Sequence, residues 1–67
     1  MINQLCEKFN VEYTSQVRHM CIKDFFEYMV VRGYNLFEIA FAYYKELGFS
    51  DRLAVIKANA VVVGEPI

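Results

Sequence analysis

The stretch NLFEIAFAYYKELG, residues 35–48, predicts a helix that must be covered by protein on more than one side. Asn35 can act as an N-cap, and Glu38 stands three residues later, as in a capping box. Lys45 in the last turn and Gly48 after it are typical of a helix end. At about 100° per residue the apolar side chains between these signals cover roughly 200° of the helix surface, whereas an ordinary surface helix has an apolar stripe of about 100°. Other helices, or another chain, must therefore surround this helix.

Three more helices are predicted along the chain. Ile2, Leu5, Cys6 and Phe9 follow helical spacing, which predicts a short helix over about residues 2–9. The longest predicted helix covers 15–32 and ends at Arg32-Gly33. A fourth, capped by Ser50, covers 51–60, and the β-branched run that follows is assigned to a tail over 61–67. The sequence thus predicts an all-α domain, a small bundle of three to four helices.

The chain is small and rich in apolar residues, which favours association. A chain of 67 residues is too short to form a large core. Its two cysteines are too few to form a disulfide scaffold instead. With glycine counted and tyrosine left out, 36 of the 67 residues are apolar, above the usual share of about 45–50%. We therefore predict an obligate homodimer, intertwined or packed face to face.

Charge and targeting signals point to a cytoplasmic protein. The net charge is −1 and the pI about 5.7, so there is no overall attraction to nucleic acid or anionic membrane. The first residues lack a basic segment followed by an apolar one, so no signal peptide is expected. No apolar run approaches the ~18 residues of a membrane span. Unpaired cysteines fit a reducing compartment.

The titratable residues do not predict catalysis. His19 and Cys21 are two residues apart, so on one helix they would point roughly 200° from each other and could not share a metal. His19 has no obvious nucleophile to activate, and phosphate-binding and nucleophile-elbow patterns are absent. We expect no enzyme activity, no metal and no cofactor.

One segment suggests DNA binding as the alternative function. QLCEKFNVEYTSQVRHM, residues 4–20, resembles the helix-turn-helix of small phage and bacterial repressors. The resemblance implies a transcription regulator that reads DNA through residues 13–18. The implied contact residues are Tyr13, Thr14, Gln16 and Arg18.

The aromatic residues of the second and third predicted helices suggest the leading function. Tyrosines are favoured at protein interfaces because an apolar ring carries a polar hydroxyl at its edge. We predict that these residues form a homodimer seam and receive a further protein, so that the chain acts as a regulatory or adaptor protein, such as an inhibitor or accessory factor. The predicted interface residues are Phe25, Tyr28, Met29, Tyr34, Phe37, Phe41 and Tyr44.

Overall fold

The computed structural model describes residues 1–64, which form five α-helices and no strand. The helices are α1 (Ile2–Lys8), α2 (Ser15–Arg18), α3 (Ile22–Val31), α4 (Leu36–Glu46) and α5 (Asp51–Val63). The prediction of an all-α fold is confirmed, with one helix more than expected. The homodimer stays a prediction. Residues 65–67, the end of the predicted tail, lie outside the described residues.

The prediction of one helix over 15–32 is wrong, because the chain leaves the helical conformation at His19–Cys21. The imidazole Nδ1 of His19 lies 2.8 Å from the Ser15 carbonyl oxygen, at the end of α2. Cys21 has extended backbone angles (φ −74°, ψ 166°) and is the N-cap of α3. Asp24 then stands in the first turn of α3, where the helix dipole favours a carboxylate. No glycine or proline marks this break in the sequence.

The assignment of Val61, Val62 and Val63 to a tail is also wrong. These residues continue α5, which ends at Gly64 in the left-handed conformation (φ 78°). Val61 packs against the core, and that contact offsets the weak helix propensity of three β-branched residues in a row. Tertiary packing therefore adds a turn to the helix.

Side-chain caps fix where three of the helices begin. The backbone amides of Val17, Glu38 and Leu53 donate to Thr14 Oγ1 (3.2 Å), Asn35 Oδ1 (3.1 Å) and Ser50 Oγ (3.3 Å), respectively. The predicted caps at Asn35 and Ser50 are thus confirmed, each satisfying an amide that the helix leaves unpaired. Gly33, with φ 95°, makes the tight link from α3 into α4, where the Tyr34 amide donates to the Met29 carbonyl.

The core forms around α4, which contacts α1, α3 and α5. Ile39 and Ala40 of α4 are fully buried with the other members of one apolar cluster. These members are Leu5, Cys6, Val17, Phe25, Phe26, Met29, Ala42 and Ala58. The Cα radius of gyration, 11.3 Å, is close to the ~11 Å expected of a compact chain of this length. No element projects away from the rest.

Tyr34 ties the N-terminal segment to the α3–α4 link. Its hydroxyl donates to the Phe9 carbonyl oxygen over 3.2 Å, and the two rings meet edge to face at 5.8 Å. The Phe9 carbonyl lies just past the end of α1, where helix carbonyls lack partners within the helix. One tyrosine thus satisfies that group and packs against the same residue.

Replacing Tyr34 by Phe should lower the free energy of unfolding by about 1 kcal/mol, because the ring contact is kept and one part-buried hydrogen bond is lost. Chemical denaturation measures the difference. Tyr13→Phe is the matched control, since the exposed Tyr13 side chain makes no hydrogen bond within residues 1–64. Equal stability of the two variants would contradict the role given to the Tyr34 hydroxyl.

Candidate protein-binding site

The predicted aromatic interface residues are mostly used inside the fold. Phe25 and Met29 are fully buried and Tyr44 is nearly so. Tyr28, Tyr34, Phe37 and Phe41 are half-buried and pack against the core cluster. Rings on α4 and its neighbours meet each other, as with Tyr44 and Phe49 at 5.9 Å. The wide apolar arc of α4 is therefore covered largely by the chain's own helices, and the part these residues play in an interface stays a prediction.

The predicted DNA-contact residues surround a helix of one turn. Gln16 and Arg18 are exposed on α2, which has four residues, about 6 Å of helix. The Thr14 hydroxyl accepts the Val17 amide as the cap of this helix. Tyr13 precedes the cap and is exposed. The structure thus brings the four residues into one short segment, with the Thr14 oxygen engaged in the fold.

A shallow groove of about 650 Å³ runs between α2 and α3. The groove is lined by Gln16, His19, Met20, Asp24, Glu27, Tyr28, Val31 and Arg32. Its lining includes two carboxylates and one permanent cation, the Arg32 guanidinium, which lies 4.5 Å from the centre of the Tyr28 ring. This balance of charge provides no basic track for a phosphate backbone.

Five of the ten exposed large hydrophobic side chains of the described residues lie on α5. We define the α5 outer face as Leu53, Val55, Ile56, Asn59, Ala60, Val62 and Val63. All except the half-buried Ala60 are exposed, with 55% of Ile56 and 68% of Val63 accessible. Among these exposed residues Asn59 alone has a polar side chain. The face extends over about three turns, roughly 16 Å, of continuous helix.

In α5 the small side chains face the core and the larger ones face solvent, which is the reverse of an ordinary amphipathic helix. Ala54 and Ala58 are fully buried toward the rest of the fold, whereas Leu53 and Ile56 point to solvent. A helix stabilised by the core of its own chain normally places its larger aliphatic residues inward, where each contributes about 1.5–3 kcal/mol on full burial. In α5 most of that gain is unrealised. The larger aliphatic side chains of this face are therefore left on the solvent side of the fold.

The charged residues of α5 are drawn away from this face. The Lys57 ammonium lies 4.9 Å from the centre of the Phe49 ring and 5.8 Å from that of Tyr44, on the α4 side. Asp51 forms an ion pair of 2.6 Å with Lys45 of α4. Arg52, at the start of the helix, is the remaining charge. The middle and end of the outer face are consequently free of charge.

This face was not among the predicted interface residues, although its spacing is visible in the sequence. Leu53, Ile56, Ala60 and Val63 are spaced three, four and three residues apart, the repeat of a helix seam. Assigning 61–67 to a tail removed Val63 from the pattern. Without Val63, the charges scattered over residues 51–59 leave no clear apolar stripe on this helix. Only the structure shows that the side with Ala54 and Ala58 faces the core, and not the side with Leu53 and Ile56.

The titratable side chains of the described residues include no metal-binding cluster, and burial shifts the pKa of two of them. Among residues 1–64, no three His, Cys, Asp or Glu side chains come together to hold a metal ion. Burial raises the pKa of the Cys6 thiol above its ordinary value, which keeps it neutral and unreactive. Burial, and secondarily the neighbouring Tyr43, raises the pKa of Tyr44. Both groups therefore act as apolar core side chains at neutral pH.

Comparisons with known proteins give no family to which the chain can be assigned. Protein-family models, curated proteins and solved structures were compared, and none matches. Separately, none of the helices within residues 1–64 has both the length and the apolar character to cross a bilayer.

Replacing Lys57 by Gln should lower the free energy of unfolding by about 0.5–1 kcal/mol, because the cation–π contact with Phe49 and Tyr44 is lost. Lys23→Gln provides the control, since Lys23 is exposed on α3 and contacts no aromatic ring within the described residues. Urea denaturation of both variants at one protein concentration measures the difference. A loss no larger than that of the control would show that the Lys57 ammonium is not held on the α4 side.

Proposed function

We propose that the protein acts by binding a polypeptide through the α5 outer face, as a small regulatory or adaptor protein without catalytic activity of its own. The observation that carries this proposal is the reversed arrangement of α5, with alanines inward and Leu53, Ile56 and Val63 outward. Apolar area of this kind contributes about 25 cal/mol per Å² when it is removed from water. A partner that covers α5 realises that gain.

The chemistry of the face selects the kind of partner. Its exposed side chains are aliphatic apart from Asn59, so it lacks the cations and donors that phosphates require. It also lacks a concave shape, because it is the convex side of one helix, and small ligands bind in clefts. A partner helix or groove with its own apolar surface fits such a face. We therefore favour a protein over DNA or a small molecule.

This proposal keeps the predicted class of function and changes the surface. The aromatic residues of α3 and α4 pack largely within the chain, so the aliphatic residues of α5 replace them as the main contact. Tyr28 stays accessible at the edge of the α2–α3 groove, together with Val31, which is 82% exposed. We propose the reducing cytoplasm as the compartment, in keeping with the exposed free thiol of Cys21.

Site-specific photo-crosslinking tests this proposal. Benzoylphenylalanine placed at Ile56 should form a defined adduct with another polypeptide in cells that express the protein, because a bound partner brings its C–H bonds within reach of the excited ketone. The same group placed at the exposed Glu7 of α1 is the matched control. Mass spectrometry of the adducts identifies whether the partner is a second copy or a different protein.

A further substitution shows whether the adduct reports the apolar face. Leu53→Asp, one turn away from Ile56, should abolish the adduct at position 56. Binding would bury the new carboxylate, which would lose its hydration and gain no ion-pair or hydrogen-bond partner. Circular dichroism checks that the variant is folded, which we expect because Leu53 is exposed. Adducts at position 56 that survive Leu53→Asp, or that form equally at position 7, would refute the proposal.

A further inference from the structure

We propose that the occupant of the α5 outer face is the α5 of a second copy, packed antiparallel about a twofold axis at the height of position 58, on the side of the helix opposite the buried Ala58. This inference rests on the proposed function and names its partner. The contact residues are Leu53, Ile56, Ala60 and Val63, which we call the α5 seam. The spacing of the seam, the charges at the two ends of the helix and the positions of Lys57 and Asn59 support this arrangement.

The seam has the same spacing when read from either end. Its intervals of three, four and three residues are symmetric about position 58. In an antiparallel pair centred there, Leu53 lies opposite Val63 of the second copy and Ile56 lies opposite its Ala60. Each large side chain near the axis thus meets a small one, as interdigitating packing requires. A parallel pair would instead place Ile56 against Ile56 and leave Ala60 facing Ala60.

The charges at the ends of α5 also complement each other in this arrangement. Arg52 stands in the first turn, where the helix dipole disfavours a cation, and the last turn of α5 has no basic residue. The antiparallel register places Arg52 beside Gly64 of the second copy, next to carbonyl groups that end the helix. Each copy then supplies the cation that the other lacks. Within one chain the position of Arg52 brings no such benefit.

The residues beside the axis are compatible with a twofold contact. Two copies of Lys57 would approach each other near the axis, but the contact with Phe49 holds the ammonium on the α4 side. Asn59 lies on the opposite flank of the seam, where two amide side chains can donate and accept reciprocally. The axis therefore brings together no uncompensated charge.

The size of the face sets the strength of the contact. A standard interface removes about 800 Å² of surface from each partner, more than one helix of roughly 20 Å provides. We therefore infer a dimer that dissociates on dilution.

Sedimentation over a range of concentrations should show a monomer–dimer equilibrium. Arg52→Gln should raise the dissociation constant about three- to thirtyfold through its two symmetric contacts, without weakening the monomer.

Disulfide trapping tests the orientation directly. Cys21→Ser provides the background, since Cys6 is buried and Cys21 is the exposed thiol of residues 1–64. Leu53→Cys and Val63→Cys are prepared separately and then mixed in a glutathione redox buffer. In the antiparallel pair residues 53 and 63 of different copies are adjacent. The two copies of residue 53 are about 15 Å apart, beyond the reach of a disulfide.

We expect the mixed disulfide between positions 53 and 63 to form well above the rate of collisional pairing, which Val31→Cys measures. Each cysteine variant alone should stay near that rate. Efficient self-pairing of either variant would overturn the antiparallel register. A protein that stays monomeric at every concentration would overturn the second copy as the occupant. In that case an adduct at position 56 with a different protein would still support the proposed function, so the two failures are distinguishable.

Discussion

The close approach of α5 to the rest of the fold through Ala54 and Ala58 is the contact on which the surface of this protein depends. Small side chains let two helix backbones come near each other, and the α4–α5 pair is the most extensive helix contact in the chain. The larger aliphatic residues of α5 consequently have no place in the core. They occupy the opposite side of the helix, and the core of a 67-residue chain offers no second layer to cover them.

Parts of the fold were predictable because they depend on local chemistry. The caps at Asn35 and Ser50 and the turn at Gly33 follow from hydrogen bonding and glycine stereochemistry within a few residues, and the structure shows them. The break at His19–Cys21 and the helical Val61 were not predictable in this way. At Val61, packing against the core opposes a weak local preference. At His19–Cys21, no glycine or proline marks the break.

The candidate site illustrates the same limit. Periodicity showed that the chain has more apolar surface than a small core needs, but it could not show which apolar residues the fold leaves outside. The bulky rings of α3 and α4 were predicted to form the interface, but rings such as Phe25 are buried in the core. The aliphatic residues of α5 are individually unremarkable. Their common exposure becomes a signal only when Ala54 and Ala58 are seen on the inner side.

The two cysteines allow a local opening of this fold to be measured by thiol labelling. Cys21 is exposed at the start of α3, whereas Cys6 is fully buried where α1 packs against the core. An alkylating reagent can therefore reach Cys21 in the native state and Cys6 only when α1 detaches. The ratio of the two labelling rates, corrected for the relative reactivity of the two thiols in the unfolded chain, gives the equilibrium constant for that local opening. The chain thus carries its own probe of sub-global unfolding, with an internal reference.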